Sequence, residues 1–220
     1  MASRASDWID TGITAYIADR ARPRPDDVLA ELRSETEALG DASVMQVSAD
    51  QGALLTLLTR LAGASFAVEV GTFTGYSAIC IARGLSEGGR LLCCDVSEDY
   101  TAIGRRAWKR AGVDDRIDLR IAPASETLQA LPADQQIDVA FIDADKPGYL
   151  GYYEEILKRL RPGGLIMVDN TLWSGRVVET SEHDGDTEAI KRFNDVIAAD
   201  SRVDSYILPV SDGLTLIVKR

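Results

Sequence analysis

The sequence predicts an α/β domain: a mostly parallel sheet with helices on both faces. Three observations carry this reading. From residue 66 onward, short apolar runs alternate with longer amphipathic ones, the rhythm of parallel strands joined by right-handed helical crossovers. Residues 66–77, FAVEVGTFTGYS, read as a short buried strand, a glycine turn and the start of a helix. Two closing apolar runs, 205–209 and 214–219, flank Asp212-Gly213 and read as a hairpin, one strand of which runs against the others.

Taken in order, residues 1–65 are mostly helical. A first helix, about 6–18, is amphipathic through Trp8, Ile9, Ile13, Tyr16 and Ile17. The link from Arg20 to Pro25 ends it, because Pro23 and Pro25 cannot continue a helix. Arg20, Arg22 and Arg24 in that link read as a solvated linker or as a grip for an anionic substrate tail. A second helix, 26–39, opens on Asp26 and Asp27, which suit the positive helix end. A third, 49–61, follows the cap residue Ser48 and carries Leu54, Leu55, Leu57, Leu58 and Leu61 as a broad core-facing stripe. Strands then fall near 66–70, 90–94, 117–121, 137–142 and 164–169, with helices near 75–85, 98–111, 124–131, 147–160 and 185–199. Thr74 is the expected N-cap of the helix after the glycine turn. Residues 174–187 form the one long polar loop. The chain reads as one domain over 1–220, with 1–65 a helical cap over the site and 66–220 the α/β core.

Composition excludes several function classes. Hydrophobic content of 45% and charge of 27% are those of a soluble globular protein. A net charge of −11 argues against nucleic acid, which needs a basic face. No apolar run approaches the roughly 20 residues of a membrane span, and the N-terminal stretch lacks the apolar core of a signal peptide. Three cysteines give no disulfide framework. Cys80, Cys93 and Cys94 read as small buried hydrophobes, the last two on opposite sheet faces, in a reducing cytoplasm.

The glycine turn narrows the ligand. In open α/β sheets the ligand lies at the carboxyl ends of the strands. A dinucleotide fold wants Gly-x-Gly-x-x-Gly; here the glycines are Gly71 and Gly75, and Glu69 precedes them. A missing Cβ at these glycines permits positive φ or close approach of a ligand. A carboxylate there suits an ammonium better than a phosphate, and no P-loop motif is present. The turn fits an adenosine carrying an amino-acid tail, S-adenosylmethionine, although such turns also occur in plain helix–sheet packing. Asp95, closing the second strand, is placed to accept from ribose hydroxyls, a role common to nucleotide folds; an ordinary turn carboxylate is the alternative.

The fourth and fifth strands end in FIDADK and LIMVDN. If they are neighbours, Asp143, Asp169 and Asn170 lie about 4.8 Å apart across one strand spacing. Two carboxylates and an amide oxygen are a hard, all-oxygen set that suits Mg²⁺ or Ca²⁺ over Zn²⁺, with turn capping as the bland alternative. A cation there would lower the pKa of Lys146, fitting it to take a proton from a substrate hydroxyl. Trp173 is placed to wall a flat aromatic substrate or to pack. His183, the one histidine, lies in the polar loop and reads as exposed.

These segments carry a resemblance. VEVGTFTGYSAICIARGL, FIDADKPGYLGYYEEILKRLRPGGLIMVDNTLWSGRVV and MQVSADQGALL are similar to the cation-dependent O-methyltransferases of the caffeoyl-CoA and catechol type, in their bacterial form, over roughly 26–220. The resemblance implies a Rossmann-like class I methyltransferase fold, seven strands with a reversed C-terminal strand. It implies that Glu69, Gly71, Thr72 and Ser77 hold the methionine end of the cofactor, with the backbone near Val47 over it. Asp95 would take the ribose, Ala124 and Ser125 the adenine. Asp143, Asp169 and Asn170 would bind the ion (Mg²⁺, or Ca²⁺ or Mn²⁺), Asp143 also standing beside the cofactor, and Lys146 would be the base. The implied acceptor is a small phenol, near Lys146 and Trp173, and the implied assembly a homodimer. Near the C-terminal hairpin, where catechol-specific members place a carboxylate, stand Tyr206 and Asp212. Rival readings are methylation of a hydroxylated tRNA base on the same fold, a nicotinamide-dependent oxidoreductase, and a binding module that has lost its chemistry.

Overall fold

The computed structural model describes residues 11–180 and 184–220. A seven-stranded sheet runs through it in the order β3-β2-β1-β4-β5-β7-β6. The strands are β1 Phe66–Val70, β2 Arg90–Asp95, β3 Ile117–Ile121, β4 Ile137–Ile142, β5 Leu160–Val168, β6 Val203–Leu208 and β7 Leu214–Lys219. β1 to β5 pair in parallel, while β7 pairs antiparallel with both β5 and β6. β7 is therefore the reversed strand the hairpin required. Strand order turns back between β1 and β4, and such a reversal opens a crevice at the carboxyl ends.

Eight α-helices accompany the strands among the described residues: α1 Thr11–Arg20, α2 Asp27–Glu37, α3 Ala49–Leu61, α4 Tyr76–Gly84, α5 Glu98–Ala111, α6 Ala124–Ala130, α7 Tyr149–Arg159 and α8 Gly185–Ala199. They bury two cores, one on each face of the sheet. Leu32, Ile79 and Trp108 pack one face with Cys93 of β2; Tyr153, Ile156 and Phe193 pack the other with Cys94. The neighbouring cysteines do point to opposite faces, and burial pushes the thiols of Cys80 and Cys94 up to about 12. No described helix is long and apolar enough to cross a membrane.

Three elements differ from expectation. Trp8 and Ile9 lie outside the described residues, and Tyr16 and Ile17 of α1 are exposed rather than lining an apolar face. In α3, Leu57 and Leu61 are also exposed; the buried face is Gln51, Gly52, Ala53, Leu55, Thr56 and Thr59. The cause is close packing on α4: a Cβ on Gly52 would stand 2.8 Å from the Tyr76 ring, and Thr56 Oγ1 donates to Cys80 O at 2.9 Å. Large leucines do not fit such a contact. β5 begins earlier than its apolar run because Arg161-Pro162-Gly163-Gly164 forms an irregularity in the pairing with β4 rather than a turn. Arg161 anchors it, donating to Asp138 Oδ1 and to Ala62 O.

Candidate active site

The carboxyl ends of β1, β2, β4 and β5 open into one cavity of about 940 Å³, walled also by the segment before α3 and by the β6–β7 turn. The glycine turn forms its floor. Gly71 has φ +87 and Gly75 φ +79, conformations that L side chains rarely adopt. What comes close to both glycines is the protein itself. A Cβ on Gly71 would stand 1.9 Å from the Asp143 carbonyl oxygen, and one on Gly75 2.5 Å from Trp108 Nε1. Asp143 N donates to Val70 O at 2.8 Å and Gly71 N to Cys94 O at 2.9 Å, so the turn is tied to both neighbouring strands.

Asp95 organises the same turn. Its Oδ2 accepts from Thr72 N and Phe73 N, and its Oδ1 from Ser97 N, while the side chain remains on the cavity wall. Thr74 is not the cap of α4: that place belongs to Gly75, which makes no side-chain cap bond. The Thr74 hydroxyl instead accepts from Thr36 Oγ1 at 2.9 Å and Gln46 Nε2 at 3.1 Å, fastening the N-terminal helices to the turn.

Glu69 is fully buried below the turn. Cys93 Sγ donates to its Oε2 at 3.3 Å, and its Oε1 has no protein partner, as Thr72 Oγ1 has none. Burial pushes the Glu69 carboxyl up to about 7 from an ordinary 4.5, against the opposing pull of Ser77, Cys93 and Thr72. Between those values the folded protein holds a proton that the unfolded chain has released, so stability falls as pH rises through this window. In the ligand-free protein, Glu69→Gln is expected to flatten the decline of Tm between about pH 5 and 7. An unchanged slope in thermal melts would contradict this assignment.

The β4 and β5 ends are neighbours, Ile142 pairing with Val168, so Asp143 and Asp169 stand side by side. Lys146 bridges the cluster: its Nζ donates to Asn170 Oδ1 at 2.7 Å, to Tyr149 Oη at 2.6 Å and to Asp143 Oδ1 at 3.3 Å. Asp169 Oδ1 accepts from Asn170 N, and Oδ2 from Gln51 Nε2, both at 2.7 Å. Burial raises the carboxyl of Asp143; burial and then the charge of Asp143 raise that of Asp169. Among the described residues no three His, Cys, Asp or Glu gather as a metal cluster. Two carboxylates plus an amide oxygen form the candidate cation set, and two of the three, Asp143 and Asn170, already accept from the ammonium of Lys146.

Backbone strain concentrates here. The five non-glycine residues with positive φ among those described are Phe73, Asn170, Trp173, Ser174 and Ser211, and all lie on or beside the cavity wall. Such conformations cost about 1–3 kcal/mol each and collect at ligand sites. Ser174 is held by Asp212 Oδ1, which accepts its N–H at 2.6 Å.

Most expected residues meet at this cavity. Val47, Gly71, Thr72, Ser77, Asp95, Ala124, Asp143, Lys146, Asp169, Asn170 and Trp173 line it, Lys146 Nζ lying 5.5 Å from the Trp173 ring. Glu69 and Ser125 do not line it: Glu69 is fully buried beneath the turn, and Ser125 is exposed on the first turn of α6. Asp212 lines it, whereas Tyr206 is exposed on the outermost strand. Arg20, Arg22 and Arg24 bond to Asp19 and nearby backbone carbonyls, away from the cavity. His183 lies outside the described residues. Sequence reasoning missed Gln51 and Tyr149, neither of which carries a local signal. It also missed the hydroxyl contact of 2.9 Å between Ser48 and Ser211 that closes the cap against the hairpin turn.

Comparison with known proteins agrees with this geometry. The model of the O-methyltransferase family matches residues 21–220. A probable caffeoyl-CoA O-methyltransferase 1 of Dictyostelium discoideum is 41% identical over 197 residues, 88% of this chain and 86% of that one. The catechol O-methyltransferase domain-containing protein 1 of Mus musculus is 38% identical, across 96% of this chain and 80% of its own. The crystal structure of the O-methyltransferase from Bacillus cereus in complex with SAH superposes with a TM-score of 0.86 at 35% identity, over 96% of this chain and 98% of that one.

Proposed function

The chain belongs to the O-methyltransferase family and is an S-adenosylmethionine-dependent enzyme, and on that premise we propose that it methylates a hydroxyl of a compact, catechol-like phenol with the help of a divalent ion. One observation carries this reading: Asp143, Lys146, Asp169 and Asn170 converge on the wall of the cavity that also holds the glycine turn. Two adjacent carboxylates, each raised by its surroundings, stand with one ammonium that pairs with Asp143 alone, and they form an oxygen set with negative charge to spare, which fits a divalent cation.

S-adenosylmethionine, when bound, supplies a methyl group on a sulfonium. A divalent ion on Asp143, Asp169 and Asn170 would supply Lewis acidity and a template for a phenol whose free pKa is about 10. The chain's own residues do the rest. Glu69, Gly71, Thr72, Ser77 and Val47 hold the methionine end of the cofactor, Asp95 its ribose and the Ala124 turn its adenine. Thr72 Oγ1, on the cavity wall, and Glu69 Oε1, beneath it, are buried atoms without a hydrogen-bond partner in the protein. Holding donor and acceptor in line can supply about 7–11 kcal/mol of the barrier. Acting as the neutral amine, Lys146 Nζ would take the hydroxyl proton and become the ammonium, and Tyr149 Oη, 2.6 Å away, steadies it, since a hydroxyl bonds the amine and the ammonium alike. Lys146→Ala is expected to lower kcat about 10²–10⁴-fold with little change in cofactor affinity. An unchanged kcat removes Lys146 from the chemistry.

The cavity wall carries five aspartates (Asp95, Asp143, Asp145, Asp169 and Asp212) against one basic residue, Lys146. That balance favours an acceptor of little negative charge over a thioester bearing several phosphates. A labelled methyl-transfer screen of catechols, flavonoids and hydroxycinnamoyl thioesters, each with and without Mg²⁺, tests the reading. Labelling of catechols only with Mg²⁺ supports it, and labelling of none of them overturns the acceptor class. A homodimer belongs to the same reading and is measured by light scattering.

A further inference from the structure

Among the described residues, one side chain of the N-terminal cap hydrogen-bonds to the strand-end cluster. Gln51 of α3 is 1% exposed, and its Nε2 donates to Asp169 Oδ2 at 2.7 Å. The other oxygen of that carboxylate accepts Asn170 N–H. Both oxygens of Asp169 are thus oriented, one by adjacent backbone and one by the cap. Among the described residues no other side chain donates to this carboxylate.

Gln51 has little freedom to move. Ser48 Oγ accepts from Gln51 N at 3.4 Å and lies 2.9 Å from Ser211 Oγ, which ties the start of α3 to the hairpin turn. One residue on, Gly52 packs so tightly that an added Cβ would meet Tyr76 at 2.8 Å and Cys80 Sγ at 2.9 Å. The amide is therefore held at a fixed height over the end of β5. A carboxylate that binds an ion must offer it a chosen lone pair, and the hydrogen bond on its far side makes that choice. Such outer partners are worth about 10–100-fold in metal affinity.

We propose that Gln51 is a positioning residue for the divalent ion: by fixing the plane of the Asp169 carboxylate, it makes ion affinity depend on the cap helix. This rests on the reading that Asp143, Asp169 and Asn170 hold the ion. The test is a Mn²⁺ titration of the full-length protein without cofactor or acceptor, free Mn²⁺ being followed by electron paramagnetic resonance. Gln51→Met keeps the length of the side chain and removes the donor. Its Mn²⁺ Kd is expected to rise about 10–100-fold, with cofactor affinity by calorimetry near that of the wild type. In turnover, KM for Mg²⁺ rises while kcat at saturating Mg²⁺ holds. A Gln51→Met protein whose Mn²⁺ affinity stays within about twofold of the wild type overturns the proposal. Should that variant not fold, Gln51→Leu is judged by the same criterion. A wild-type protein with no saturable Mn²⁺ site is a separate failure, since it removes the ion reading beneath the proposal as well.

Discussion

Asp169→Ala is expected to abolish turnover while the protein stays folded and still binds S-adenosylmethionine. Asp169 is one of two carboxylates in the candidate cation set, and it is 3% exposed at the end of β5. Its loss removes an anionic ligand and leaves Asp143 and Asn170, already shared with Lys146, to hold an ion alone. Removing one preorganised electrostatic contact from an active site typically costs about 10²–10³-fold in kcat, and losing the ion as well takes the rate toward background. The fold should survive, because the substitution also removes a carboxyl that burial and then the charge of Asp143 hold well above its ordinary value. Calorimetry with the cofactor and a methyl-transfer assay separate the two effects. Residual activity near that of the wild type would exclude Asp169 from the chemistry.

Gly71→Ala should have the largest effect on stability. The new Cβ would stand 1.9 Å from the Asp143 carbonyl oxygen, at a backbone φ of +87. The left-handed conformation costs a non-glycine residue about 1–2 kcal/mol, and overpacking adds about 1–3 kcal/mol. Relief requires the β4 end to move, and that end carries Asp143. Activity should therefore fall further than the folded fraction does. Urea unfolding of the variant, with activity corrected for the folded fraction, measures both. A loss below about 1 kcal/mol would mean that the two strand ends separate easily.

The central sheet was legible because its strands are short apolar runs closed by a charge or a glycine, as in Phe66–Val70 before Gly71 and Ile137–Ile142 before Asp143. The strand-end cluster depended on β4 and β5 being neighbours, a condition the sequence left open and the sheet order meets, although β3 and β4, also consecutive, are not adjacent. Hidden were the contacts made across long sequence distances. Nothing in the local pattern shows that Gly71 makes room for the Asp143 backbone, that Thr74 spends its hydroxyl on Thr36 and Gln46, or that Gln51 turns from its helix toward Asp169. The leucine count misled in α3 for a physical reason. A close helix pair selects small residues for its contact, and that leaves Leu57 and Leu61 facing outward.

The most direct measurement is the rate at which the wild-type enzyme transfers a labelled methyl group from S-adenosylmethionine to a catechol, first in EDTA and then after Mg²⁺ is restored. The expected result is no transfer under chelation and full recovery with the ion, with Asp143→Ala failing to recover. Equal rates in EDTA and in Mg²⁺ would contradict it, leaving the β4 and β5 carboxylates without a cation to hold.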